Sequence, residues 1–236
     1  MTLSSGAGGA VTSDETGGEA RFVHDQFRSL VGARDFPCLG ARAAINQGTY
    51  RFGLYDMLGS QASAEELASD LAAFLRERRD WDSTYSTYVA AFRGPRAMTE
   101  AAFEHGLWET LGRLRANDEE QHEWDARVSS DPHDPRFSFS FGGEAMFVVG
   151  LHGSSSRYAR TFAWPTLCFN PHDQFESIRA SGNFGRIRRL VRERDRALQG
   201  HVNPMLRDFG DVSEAAQYSG RVTDEGWRPP IDCSSW

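Results

Sequence analysis

Lysine is absent from this 236-residue chain, so all 26 basic residues are arginine, set against 33 acidic ones for a net charge of -7. An acidic chain without a dominant basic surface argues against nucleic acid as a partner, because affinity for a phosphate backbone comes from such a surface. Any carboxylate or phosphate bound inside is instead held by guanidinium forks. Cysteine is scarce: Cys38, Cys168 and Cys233 are far apart and show no C-x-x-C spacing, which excludes a disulfide framework and a zinc-type cluster. No apolar run approaches the roughly 20 residues that span a bilayer. The first residues lack a charged segment followed by an apolar one. The expectation is a cytoplasmic protein with reduced thiols and no membrane partner. Nucleophile-elbow, P-loop and dinucleotide fingerprints are missing too, and Asp208-Phe209-Gly210 stands without the other kinase motifs.

Apolar residues make up 39% of the chain and aromatic ones 12%, enough for a substantial core. Residues 1–20 are rich in Gly, Ser, Thr and acidic side chains and read as a disordered tail, leaving 21–236 as a single domain. Phe22, Val23, Phe27, Leu30 and Val31 recur at helical spacing. Pro37 then forces a turn, and a helix over Ala41–Asn46 follows, stopped by Gly48. Arg51–Tyr55 alternates like a strand. Ser63 with Glu66 forms a capping-box pattern ahead of Leu67, Leu71, Phe74 and Leu75. A strand is expected over Thr84–Phe92, a helix over Met98–Leu114 capped by Thr99, and a shorter helix over Glu119–Val128.

The pattern then changes. Phe137–Phe141 alternates with period two, Gly142-Gly143 is a hairpin signal, and Ala145–Leu151 and Thr166–Phe169 are apolar runs of strand length. Helices return over Asp173–Ala180 and Phe184–Gln199, with Gly182 and Gly200 as breaks. The stretch from His201 onward is rich in turn formers and is expected to wrap over the sheet or the site. Helices, then strands, then helices define an α+β class, with a small, largely antiparallel sheet packed against helices.

Several residues have the chemistry for a site. Cys38 follows a proline turn and precedes an alanine-rich helix, so its sulfur meets unpaired N–H groups and the positive end of the helix dipole, which favour thiolate. The same position also suits a small core residue. His152 ends an apolar strand, with Arg157 and Arg160 close behind. His172 and Glu176 share a helical face, and with His152 they make two histidines and a carboxylate, the set of non-heme iron(II) oxygenases. His172 equally suits a helix cap. The segments Leu198–Leu206 and Glu214–Arg221 mix amides, an aromatic and turn formers, as a cover over a pocket would.

In combination, Phe36-Pro37-Cys38, Phe139–Gly143, Leu151-His152 with Ser155-Ser156-Arg157, Phe169–Glu176, Gln199-Gly200, Asn203–Leu206 and Gln217–Arg221 resemble the YqcI/YcgG family. Gly153 departs from that pattern, standing where family members usually carry proline. The family includes heme-dependent N-hydroxylases of guanidine groups. The resemblance therefore implies heme b (protoheme IX), dioxygen or peroxide, an external electron donor or reductase, and L-arginine or a related guanidino amino acid as substrate. It leaves room for a homo-oligomer. Oxidising a guanidine nitrogen calls for an electron-donating axial ligand; Cys38 is the first choice, with His152 and His172 as rivals. Cys168 reads as core. Arg157, Arg160 and Arg51 are then candidates to pair with the propionates, and Glu144 or Glu176 to meet the cationic substrate. A non-heme iron oxygenase built on His152, His172 and Glu176, and a heme sensor or carrier without turnover, are the alternatives.

Overall fold

The computed structural model describes residues 13–205, 207, 209–224, 226–234 and 236. Residues 1–12 of the expected tail, and Leu206 and Asp208 of the motifs above, lie outside these. Five strands form one mixed sheet in the order β1-β2-β5-β4-β3: β1 (Tyr50–Met57), β2 (Thr87–Gly94), β3 (Phe139–Phe141), β4 (Glu144–Leu151) and β5 (Thr166–Pro171). Among the described strands β1 and β2 are the one pair that runs parallel, the crossover between them being made by α3 (Gln61–Glu77). The remaining helices are α1 (Ser13–Gly32), α2 (Leu39–Gln47), α4 (Glu100–Asp118), α5 (Asp173–Ala180) and α6 (Phe184–Gln199). The class is α+β, as the segment order implied.

Local chemistry explains most boundaries. Gly48 closes α2 at φ 71°, and Thr99 caps α4 by accepting from Ala102 N–H. Gly142 and Gly143 both adopt positive φ, 63° and 73°, as the two-residue turn between β3 and β4 demands. Three expectations need correction. Helix α1 begins at Ser13, inside the stretch read as tail. The cap of α3 is Ser60, which accepts from Ser63 N–H, while Ser63 lies in the first turn and accepts from Met57 N–H. No helix forms over 119–128: Asp118 and Asp125 turn their carboxylates onto Gly142 N–H and Ala145 N–H, holding this segment as a loop against the hairpin.

The two faces of the sheet carry different layers. On one, α3 and α4 pack over Phe92, Phe139, Met146, Val148, Leu167 and Phe169, a dry aromatic core that also takes in Tyr218. On the other, α1 packs over Val89, Ala91, Leu151 and Cys168, with α2 alongside it. The chain's last residues return to the first layer, where Trp236 lies against Trp108, Trp124, Phe137 and Phe139 with ring centroids 5.7–6.4 Å apart. No helix among the described residues is long and apolar enough to cross a membrane. Because Trp236 contributes aromatic area without being fully enclosed, Trp236→Ala is expected to cost about 2 kcal/mol. For a chain of this size that is a fall of about 4–8 °C in melting temperature, measurable by calorimetry.

Candidate functional site

Strand alternation decides what reaches the second face. Along β4, Phe147, Val149 and Leu151 point one way while Met146, Val148 and His152 point the other. Along β5, Cys168 and Asn170 share the side of Leu151. Here the sheet does not meet its covering helices directly. A cavity of about 380 Å³ separates it from α2, α5 and α6, within the size range of small-molecule sites. Ile187, Val191 and Asp195, spaced four apart, present one face of α6 to it. On the α2 side Gly40, Ala41 and Ala44 are all small, which keeps the space open.

Cys38 sits at the rim. It is the N-cap of α2, in extended conformation, and its sulfur accepts from Ala41 N–H at 3.5 Å. The sequence expectation of a thiol at a helix start is met, and the thiol is exposed rather than core. Cys168, across the cavity wall, behaves differently: burial pushes its thiol up to about 12, which keeps it protonated and inert.

At another wall His172 and Glu214 approach each other, Nε2 to Oε2, at 3.9 Å. His172 lies just before α5, where its side chain caps nothing, so it is free to face inward, edge-on to Phe209 at 4.5 Å between ring centroids. Burial pulls its imidazole below the ordinary range, so it is neutral at pH 7. Glu214 opens a short 3₁₀ turn, Glu214–Gln217, and is buried. Its Oε1 accepts from Ser138 Oγ (2.8 Å) and Tyr218 Oη (2.7 Å). Burial nevertheless pushes its carboxyl up to about 8, outweighing those two hydrogen bonds.

The arginines divide by what they already hold. Arg157 is buried and makes a two-pronged pair with Asp195 of α6 (2.7 and 2.8 Å), with His201 3.1 Å from its other nitrogen. Arg160 donates to the carbonyls of Gly150, Gln217 and Tyr218. Enclosed against the cavity, it is pulled down to about 10 by burial and is still charged at pH 7. Both line the cavity, and so do Arg179, Arg188 and Arg192 of α5 and α6.

Other expected residues are placed elsewhere, which corrects the assignments made for them. His152 lies on the opposite face of β4, stacked on Phe103 of α4 at 4.3 Å. Its two ring nitrogens have no hydrogen-bond partner among the described residues, and burial lowers its pKa. Glu144 is paired with Arg78 and Arg79, both at 2.9 Å. Glu176 faces Arg127 at the surface, 3.6 Å away. Arg51 is paired with Glu77 and stacks over Trp81. The set His152, His172 and Glu176 is therefore not assembled, and no metal-ligating cluster occurs among the described residues. The sheet itself separates the two histidines.

Glu214 and Asp195 escaped the sequence reading as site residues. Each lies in a polar stretch with nothing in its spacing to mark it as buried. A detectable signal existed only for Glu214, whose (i, i+4) partner Tyr218 pairs an acid with a phenol. The raised Glu214 pKa has a stability consequence. Between about pH 4.5 and pH 8 the folded state keeps this proton while the unfolded chain releases it, so the residue makes stability fall as pH rises. Glu214→Gln removes that dependence: denaturant titrations at pH 5 and pH 8 are expected to show a smaller difference than in the wild type.

Comparison with known proteins agrees with the motif resemblance. Residues 27–232 match the YqcI/YcgG family. YcgG of Bacillus subtilis (strain 168), an uncharacterized protein, is 32% identical over 195 residues, covering 79% of this chain and 76% of that one. YqcI of the same organism, likewise uncharacterized, is 26% identical over 192 residues, covering 78% and 74%. No solved structure matches the chain significantly. With the match running from α1 almost to the C-terminal tryptophan and taking in every element that walls the cavity, the chain belongs to the YqcI/YcgG family.

Proposed function

We propose that this chain is a heme-dependent mono-oxygenase that N-hydroxylates the guanidino group of L-arginine or a closely related guanidino amino acid. The observation that carries the reading is Cys38, an exposed thiol at the N-cap of α2 on the rim of a mainly apolar cavity. A flat macrocycle with two carboxylates needs apolar walls, a soft donor at one side and cations at its edge. Phe36, Val149, Leu151 and Val191 supply such walls, Cys38 the donor, and Arg179 and Arg192 the cations. Arg157 and Arg51 are left out of that role, since Asp195 and Glu77 hold their forks.

Protoheme bound there supplies dioxygen activation, which thiolate donation favours. The protein's own contributions are separable. Ala41 N–H at the N-terminus of α2 holds the Cys38 sulfur in place at the cavity rim. Phe147 and Phe175 exclude water from the wall near His172. Neutral His172 is placed to take or give a proton at Nε2. Overall, one oxygen atom of dioxygen enters the new N–O bond and the other leaves as water, using two electrons and two protons. No flavin or nicotinamide motif is present, so a separate reductase supplies the electrons, or peroxide replaces both dioxygen and reductant.

The test is the ferrous–CO spectrum of protein made under heme-replete conditions, for the wild type, Cys38→Ala and His172→Ala. A strongly red-shifted Soret band that disappears only in Cys38→Ala is expected. A histidine-type band lost in His172→Ala refutes thiolate ligation, and no Soret band at all refutes the heme reading. With heme bound, formation of N-hydroxyarginine from L-arginine and a chemical or protein reductant separates an enzyme from a heme sensor or carrier.

A further inference from the structure

Most polar groups that reach the cavity are already committed. Arg157 is matched by Asp195, Arg160 by three carbonyls, Asn170 by the carbonyls of Phe147 and Cys168, and Gln174 by that of Ser86. Of the two acidic side chains that line the cavity, Asp195 has both oxygens engaged and Glu214 does not. Two hydroxyls occupy its Oε1, whereas among the described residues its Oε2 has no donor nearer than His172 Nε2 at 3.9 Å. Its side chain is 5% exposed, and His172 beside it is also 5% exposed. A carboxyl enclosed in an apolar wall, tied down through one oxygen and open at the other, is built to receive a donor from a ligand.

We propose that Glu214 is the anchor for the cationic head of the ligand, guanidinium or primary ammonium, and that it sets the preference for a cation over a neutral isostere. Ser138 and Tyr218 are positioning residues here. Their hydroxyls hold Oε1, and Tyr218 is itself fixed by accepting from Phe139 N–H at 3.0 Å. Glu214 is therefore rigid before a ligand arrives, so little ordering cost attaches to binding. The charges that face it bear on the ligand's other end. Arg179 is close enough to act on Glu214, and Arg188 and Arg192 line the helical side of the cavity. They oppose a simple organic cation and favour one that also carries an anionic group, as an amino acid does. The anchor follows from the geometry alone; reading its cation as a guanidinium rests on the proposed function.

The experiment is calorimetric titration of the full chain at pH 9, above the point where the Glu214 carboxyl ionises, as purified and after heme loading, with L-arginine and with its neutral isostere L-citrulline. Wild type is expected to prefer L-arginine by about tenfold or more, the worth of one charge-assisted hydrogen bond. Glu214→Gln is expected to bind the two within about threefold of each other, and Glu214→Asp to keep the preference at weaker affinity. Both ligands are titrated into the same sample, so a misfolded fraction alters stoichiometry and not the ratio. An equal affinity in the wild type, no measurable L-arginine binding, or an undiminished preference in Glu214→Gln overturns the proposal. A missing Soret band in the same samples would remove the heme reading and leave the ratio intact.

Discussion

The two-residue alternation of β4 and β5 is the constraint on which the rest of the molecule depends. These paired strands form the middle of the sheet, and each sends alternate residues to opposite sides. One side, with Met146, Val148, Leu167 and Phe169, closes into a dry aromatic core under α3 and α4. The other, with Phe147, Val149, Leu151 and Cys168, walls the cavity. A slip of one residue would exchange the two sets and bury the polar Asn170 in the core while opening the aromatic side. Register is held at both ends: by the Gly142-Gly143 turn, and by the bridge between His152 and Thr161 that closes the loop after β4.

Polar side chains stitch the cavity's separate walls to that sheet. Arg160 reaches from the loop after β4 to Gly150 and to the late segment Gln217–Tyr218. That segment runs close against β4: Gly150 N–H donates to Tyr218 carbonyl at 2.8 Å, and a side chain at Gly150 would strike Phe103. Arg157 with Asp195 fastens α6 in the same manner, and Arg194 donates to the carbonyl of Phe36 beside the cysteine turn. A buried pair such as Arg157–Asp195 adds little net stability once both charges are desolvated. Its effect is to fix where α6 lies, so that an amphipathic helix with six arginines presents Ile187 and Val191 to the cavity.

Much of this was legible in the sequence. Helices α5 and α6 were readable to the residue, because Gly182 and Gly200 bracket them and their apolar positions recur at helical spacing. The β3–β4 hairpin was readable from alternation and its glycine pair. The loop at 119–128 was not, since its charged residues suit a helix surface and only Asp118 and Asp125, through long-range bonds to the hairpin, override that preference. Cys38 was legible because capping is a local property. His152 was legible as a strand-end imidazole, but its side of the sheet depends on register.

By itself, then, the sequence determined the α+β class, the element order, the cap that carries the thiol and the family to which the chain belongs, since these follow from local periodicity, turn chemistry and short motifs. Only the tertiary structure decided which groups share a space. It set Cys38, His172, Arg157 and Arg160 around one cavity, turned His152 away from it, paired Glu144, Glu176 and Arg51 with arginines or acids elsewhere, and brought in Glu214. The physical reason is that a side chain's face on a strand, and the partner that satisfies a buried charge, depend on contacts between residues distant in the chain, which no local pattern encodes.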